Sequence, residues 1–168
     1  MVNVMFYGKL GSGKTLSAVL TAAKAYSEGL DTYSNIELSW PHTRIKNIFD
    51  FMDKSFSVFL VSEAYLAFDS RLWSNRNIQA GSNLLLQVRK KGNMIVFDAQ
   101  DPDSIEKRLR LIVDYWVRCN YNKNTRRLTW EVDDGFDFGK KSMILNDALY
   151  KMYNTYEPSE ILYNHTKY

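Results

Sequence analysis

The chain has 168 residues, 45% of them apolar and 24% charged, with a formal net charge of +3 and a pI near 8.9. These values describe one globular domain over residues 1–168 with a sizeable core; they exclude a disordered or collagen-like chain and allow a polyanionic partner without requiring one. The single cysteine, Cys119, excludes an internal disulfide and suits a reducing compartment, and no apolar run reaches membrane-spanning length, so a soluble, cytoplasmic protein is expected.

The first element is a short strand, Asn3–Tyr7, with nothing of a signal peptide about it. It leads into GKLGSGKT, residues 8–15, whose spacing Gly8-x4-Gly13-Lys14-Thr15 is that of a phosphate-binding loop. Glycines at 8, 11 and 13 permit a sharp turn and let main-chain N–H groups approach an anion. The helix opening near Lys14 adds the positive end of its dipole. Lys14, expected to be open to phosphate and not packed, would reach the β- and γ-phosphates, and the Thr15 hydroxyl would bind Mg²⁺. Gly8, Gly11, Ser12, Gly13, Lys14 and Thr15 are thus the candidate ATP-binding set. The helix places Leu16, Val19, Leu20, Ala23 and Tyr26 on one face, which predicts the buried side.

Beyond it, GLDTYSNIEL reads as a turn and a strand near Thr32–Leu38, and TRIKNIFDFM as a short helix. The apolar run Phe56–Val61 predicts a buried strand. NIQAGSNLLLQVRKKG reads as a helix ending at Gly92, and NMIVFDAQ as the next buried strand. DSIEKRLRLIV reads as a helix capped by Asp103 or Ser104 that buries Ile105, Leu109 and Ile112. YWVRCNYN and RRLTWEV alternate across NKNT as an edge hairpin, and LNDALYKMYNTY reads as a last helix. Strands alternating with helices predict an α/β fold of three layers: a P-loop NTPase with a mainly parallel sheet and an antiparallel edge hairpin.

A phosphate loop that hydrolyses nucleotide needs a second strand carrying a carboxylate to the metal and another to the attacking water. FLVSEAY offers Glu63 at the carboxyl end of a buried strand, as base or water-orienting group. The bland alternative is a carboxylate complementing a helix N-terminus. The preceding position, where a metal-associated Asp is expected, holds Ser62. A serine can hold a metal-bound water but adds no charge, which weakens the expected Mg²⁺ site; on that reading Ser62→Asp leaves activity unchanged or raises it. Gln100 ends the following strand, where an amide could sense the γ-phosphate or simply be a polar residue leaving the sheet.

Taken together, Gly8, Gly13, Lys14, Thr15, Glu63, Arg89, Gly92, Gln100 and Pro102 resemble the FtsK/HerA superfamily of P-loop ATPases, and more closely its Zot-like branch. EAYLAFDSRLW, IEKRLR and YNTYEPSE extend the resemblance over most of the chain; Ser62, and Ala99 where Thr or Ser is commoner, depart from it. The resemblance implies a RecA-like core, assembly into a homo-oligomeric ring, and ATP hydrolysis completed by a neighbour's arginine. Arg89 is the candidate finger, with Arg110 and Arg108 as alternatives.

The function implied is an ATP-driven motor moving double-stranded DNA without sequence preference, in viral genome packaging or plasmid transfer. Virion or portal proteins would be further partners, and the host cytoplasm the location if the chain is viral. The polar segment 69–83, with Arg71, Trp73 and Arg76, could face a ring channel or be an ordinary surface loop. The basic clusters at 89–92, 126–127 and 140–141 are individually no more than solubilising surface. Membrane-anchored phage-assembly relatives carry a spanning helix after the ATPase domain; this chain ends at NHTKY without one, which favours a translocase over a Zot-like assembly or secretion ATPase. Two further readings stay open: a nucleotide-kinase-like phosphotransferase, and a nucleotide-binding switch without hydrolysis, for which Ser62 speaks.

Overall fold

A computed structural model describes residues 2–46, 50, 53–67, 90–105 and 107–154. Within them, strand β1 (Val4–Tyr7) is followed by helix α1 (Lys14–Ser27), β2 (Asp31–Ser34), β3 (Thr43–Arg44) and β4 (Ser57–Val61). The short helix α2 (Ala64–Ala67), β5 (Met94–Ala99), a 3-10 turn (Pro102–Ser104) and helix α3 (Lys107–Arg110) come next. Three long strands, β6 (Tyr115–Asn122), β7 (Arg127–Asp133) and β8 (Phe138–Ile144), precede a final 3-10 turn, Leu149–Met152. The strands form one eight-stranded sheet in the order β3-β2-β4-β5-β1-β6-β7-β8. Pairing is parallel from β3 through β6 and antiparallel from β6 to β8.

Side-chain alternation assigns the two faces. Val4, Phe6, Val58, Leu60 and Val96 point to one side, where Ala18, Val19, Ala22 and Ala25 of α1 cover them. Met5, Phe59, Val61, Ile95 and Phe97 point to the other, where Ala64, Ile105, Leu109 and Ile112 cover them. The central strands are buried on both faces, as the apolar runs predict for parallel strands.

The buried side of α1 is rotated from the predicted stripe. Alanines let the helix lie close on the sheet, whereas Leu16 and Leu20 sit at its flank against Leu128 and Leu145. Tyr26 is exposed and leans on Trp40, with ring centroids 6.2 Å apart.

Other expectations are corrected. The strand expected over Thr32–Leu38 ends at Ser34, whose hydroxyl accepts from the Ile36 N–H at 3.1 Å and turns the chain out of the sheet. Thr43 and Arg44, expected at the start of a helix, pair with Tyr33 and Ser34 as a strand, and part of the remainder of that stretch lies outside the described residues. Phe56 does not belong to the buried run: it is 71% exposed with φ 51°, and β4 begins at Ser57. Asp101 caps a 3-10 turn, Pro102–Ser104, at the start of this stretch, and among its described residues α-helix is assigned only over Lys107–Arg110. Ile105, Leu109 and Ile112 are nonetheless buried as predicted. The stretch FGKKSMI, not anticipated as a strand, is β8, so the edge is a three-stranded meander.

The expected last helix is only the 3-10 turn. Tyr153 is extended, bridges Leu38 antiparallel, and the Met152 carbonyl accepts from the Ser39 N–H at 2.9 Å. Main-chain pairing with a second segment wins over helix continuation there. The predicted helix ending at Gly92 lies mostly outside the described residues.

Candidate functional site

The phosphate loop joins β1 to α1 through backbone that only glycine tolerates. Gly8 has φ 144°, and a Cβ there would meet the Cys119 carbonyl at 2.7 Å. Gly13 has φ 86°, which strains any side chain there, and a Cβ would also press on the end of the Leu128 side chain of β7 at 2.7 Å. No side chain caps the start of α1 and no acidic residue stands in its first turn. Its leading N–H groups are thus free of a side-chain acceptor, as an anion site needs. Lys14 departs from expectation. It is 8% exposed, and its Nζ donates to the Lys9 carbonyl at 3.0 Å, closing the loop on itself.

The carboxylates stand at the ends of the adjacent strands β4 and β5. Val61 is in register with Phe97, so the residues that follow, Ser62 and Asp98, face each other where the strands end. The Ser62 hydroxyl donates to Asp98 Oδ2 at 2.9 Å and the Glu63 N–H donates to Asp98 Oδ1 at 2.9 Å. The Thr15 side chain lines the same cavity as this carboxylate. Asp98 is 1% exposed. Burial pushes its pKa up, and hydrogen bonds from Glu63 and Ser62, with the charge of Lys14, oppose that push.

Asp98 is the site residue that sequence reasoning missed. The available signal was a charged residue inside the buried run Ile95–Ala99. Its neighbourhood also revises the reading of Ser62: an aspartate introduced there would set a second carboxylate against Asp98, so Ser62→Asp is expected to be harmful.

Glu63 has φ 52°, the left-handed region that bulky L-residues avoid. The hydrogen bond from its N–H to Asp98 and that from the Leu66 N–H to its carbonyl, at 2.8 Å, hold it there. Gly11, Gly13, Lys14, Thr15, Glu63, Asp98 and Gln100 line one cavity of about 250 Å³. Tyr121, Tyr150 and Tyr153 complete its wall. The Tyr150 and Tyr121 hydroxyls are 2.9 Å apart, and burial, with the charge of Asp98 nearby, raises the Tyr153 pKa to about 12. A larger cleft of about 730 Å³ lies on the other side of the loop, lined by Gly8, Lys9, Ser12, Arg118 and Glu131 among others. Gln100 lines both. The smaller cavity is the candidate phosphate site on chemical grounds, because it holds Lys14, Thr15 and the carboxylates.

The described residues contain no group of three or more His, Cys, Asp or Glu able to hold a cation. A hard donor set of the Thr15 hydroxyl and the Asp98 carboxylate fits Mg²⁺, which is typically held by one or two carboxylates together with substrate phosphates.

Arg110 stands apart from this cavity: its Nη1 donates to Asp103 Oδ1 at 2.5 Å, and its Nε is buried without a hydrogen-bond partner. Arg89 and all of segment 69–83 lie outside the described residues, as does the side chain of Arg108. In the meander, Arg126 pairs with Asp147, Arg127 donates to Ser142 at 3.0 Å, and Lys140 lies 3.6 Å from Glu131. Among the described residues no helix is long and apolar enough to cross a membrane.

No family model and no curated protein matches the sequence. Solved structures do match the fold. The N-terminal domain of zonular occludens toxin from Neisseria meningitidis superposes with a TM-score of 0.68 at 20% identity, over 91% of this chain and 98% of that one. The genome packaging NTPase B204 from Sulfolobus turreted icosahedral virus 2, in complex with AMPPCP, superposes with a TM-score of 0.58 at 10% identity, over 86% and 98%. With the phosphate loop on β1, β5 between β1 and β4, and an antiparallel edge beyond β6, the chain has the RecA-like P-loop NTPase fold.

Proposed function

We propose that this chain, as a single domain, binds ATP with Mg²⁺ and hydrolyses it to move double-stranded DNA, as a homo-oligomeric ring serving genome packaging or DNA transfer. The observation that supports hydrolysis is the convergence of Lys14, Thr15, Glu63, Asp98 and Gln100 on one cavity at the carboxyl ends of three neighbouring parallel strands. Support for DNA movement comes from the likeness to a genome packaging NTPase.

In this reading the first-turn N–H groups of α1 hold the phosphates, and Lys14 leaves the Lys9 carbonyl to meet the β- and γ-oxygens. Bound Mg²⁺ supplies neutralisation of phosphate charge. Glu63, fixed at its main chain, accepts the proton of the attacking water, and Gln100 orients that water or senses the γ-phosphate. The arginine that completes the site comes from a neighbouring copy.

The test is the rate of ATP hydrolysis with and without duplex DNA. Stimulation by DNA is expected. Transfer of phosphate to a small acceptor regardless of DNA would make the chain a kinase-like phosphotransferase. Tight binding without turnover would make it a switch.

A further inference from the structure

We propose that Asp98 serves as the metal-associated carboxylate that Ser62 cannot provide, delivered by the neighbouring strand and held in place by Ser62 itself. This assignment rests on the ATP-binding reading. Three observations carry it. First, Asp98 is placed by register opposite Ser62, so a carboxylate on either strand end reaches the same point at the mouth of the sheet. Second, the Thr15 side chain, which the phosphate loop commits to the metal, lines the same small cavity as this carboxylate. Third, Asp98 is 1% exposed at the base of a cavity lined by Lys14 and Thr15, and a carboxylate kept there without a paired cation is costly unless it has a task.

Ser62 then reads as complement and not as loss. Its hydroxyl donates to Asp98 Oδ2, which an aspartate at 62 could not do in its ionised form. The pair is one carboxylate and one hydroxyl shared between two strand ends, and exchanging them should leave the pair's chemistry intact. Asp98 also accepts the Glu63 N–H, so the group that meets the metal positions the backbone of the water-activating residue as well.

The experiment measures affinity for a fluorescent non-hydrolysable ATP analogue with Mg²⁺ and with EDTA, and Mn²⁺ binding to the analogue complex by electron paramagnetic resonance. The wild-type chain is expected to bind the analogue roughly tenfold more tightly with Mg²⁺, about 1.4 kcal/mol. Asp98→Asn should keep the affinity seen in EDTA, lose most of the Mg²⁺ gain, and lose the altered Mn²⁺ signal. The exchange variant Ser62→Asp/Asp98→Ser should regain both. A full Mg²⁺ gain in Asp98→Asn overturns the assignment. Should Asp98→Asn fail to fold, the exchange variant decides: a folded exchange variant without the Mg²⁺ gain also overturns it. A wild-type chain that binds the analogue in neither condition refutes the nucleotide reading and this assignment with it, a result distinct from binding that is insensitive to residue 98.

Discussion

Asn35 holds both main-chain polar groups of Ser62: its Nδ2 donates to the Ser62 carbonyl at 2.9 Å and its Oδ1 accepts from the Ser62 N–H at 2.8 Å. One buried amide at the end of β2 thereby replaces the ladder that stops at the end of β4, and fixes the residue that meets Asp98. Asn35→Leu leaves two buried main-chain groups without these partners and should cost about 2–4 kcal/mol in urea unfolding. A loss below about 0.5 kcal/mol, the size of an ordinary surface change, would show that the clamp is dispensable.

Glu63 should be a place where stability and activity trade against each other. With φ 52° it sits in a conformation that costs a non-glycine residue on the order of 1 kcal/mol, and glycine would relieve it. Glu63→Gly is expected to stabilise the chain by about that amount while abolishing ATP turnover. Glu63→Gln should abolish turnover with stability unchanged. Glycine and glutamine variants of equal stability would mean that the backbone carries no strain there.

Lys14→Ala should have two separable effects. First, it removes the hydrogen bond to the Lys9 carbonyl, a loss of about 0.5–1.5 kcal/mol that thermal unfolding without added nucleotide reads. With nucleotide it removes the cation that meets the phosphates, and affinity should fall by at least about tenfold, or 1.4 kcal/mol. Normal ATP affinity in this variant would refute the phosphate-loop assignment.

Cys119 should be inert in the folded chain. It is 4% exposed, and burial raises its thiol pKa from 9.0 to about 11. Two pH units lower the thiolate fraction near pH 8 about a hundredfold, before any steric shielding. Alkylation by iodoacetamide at pH 8 should thus be at least that much slower in the native than in the urea-unfolded chain. Because the folded pKa is the higher one, the thiol's contribution to stability is intact below pH 9.0 and is lost as pH rises through about 11. Fast alkylation of the native chain would place Cys119 at the surface.

The parts of the fold that could be read from the sequence are those where one segment suffices. The strand, glycine turn and helix of residues 3–27 announce themselves through local chemistry, and the buried strands through apolar runs. Apart from the β6–β7 hairpin, whose alternation and turn are local, contacts between segments were not legible. The short pairing of Thr43 and Arg44 with β2 carries no pattern of its own, and the extended Tyr153 is set by Leu38 across the chain. β8, with exposed residues along most of its length, lacks the alternation that marks a strand. In the site the same limit hid Asp98: Ser62 looked like a gap because its partner lies 36 residues further on.

The proposed ring is tested most sharply through the arginine that a neighbouring copy would supply. Arg110 is held by Asp103 within its own chain, which leaves Arg89 as the better candidate for a residue that acts across an interface. Arg89→Ala should bind ATP nearly normally yet hydrolyse it about 10³–10⁵-fold more slowly, the range known for arginine fingers. Arg110→Ala should retain most turnover. Mixing Arg89→Ala with an equal amount of Glu63→Gln should partly recover activity, because in a head-to-tail ring about one interface in four then joins an intact Glu63 to an intact Arg89. The wild-type rate per molecule should also climb with protein concentration as copies associate. A mixture as inactive as its components, with a rate independent of concentration, would make Arg89 a residue of its own subunit and return the chain to the monomeric kinase-like or switch readings.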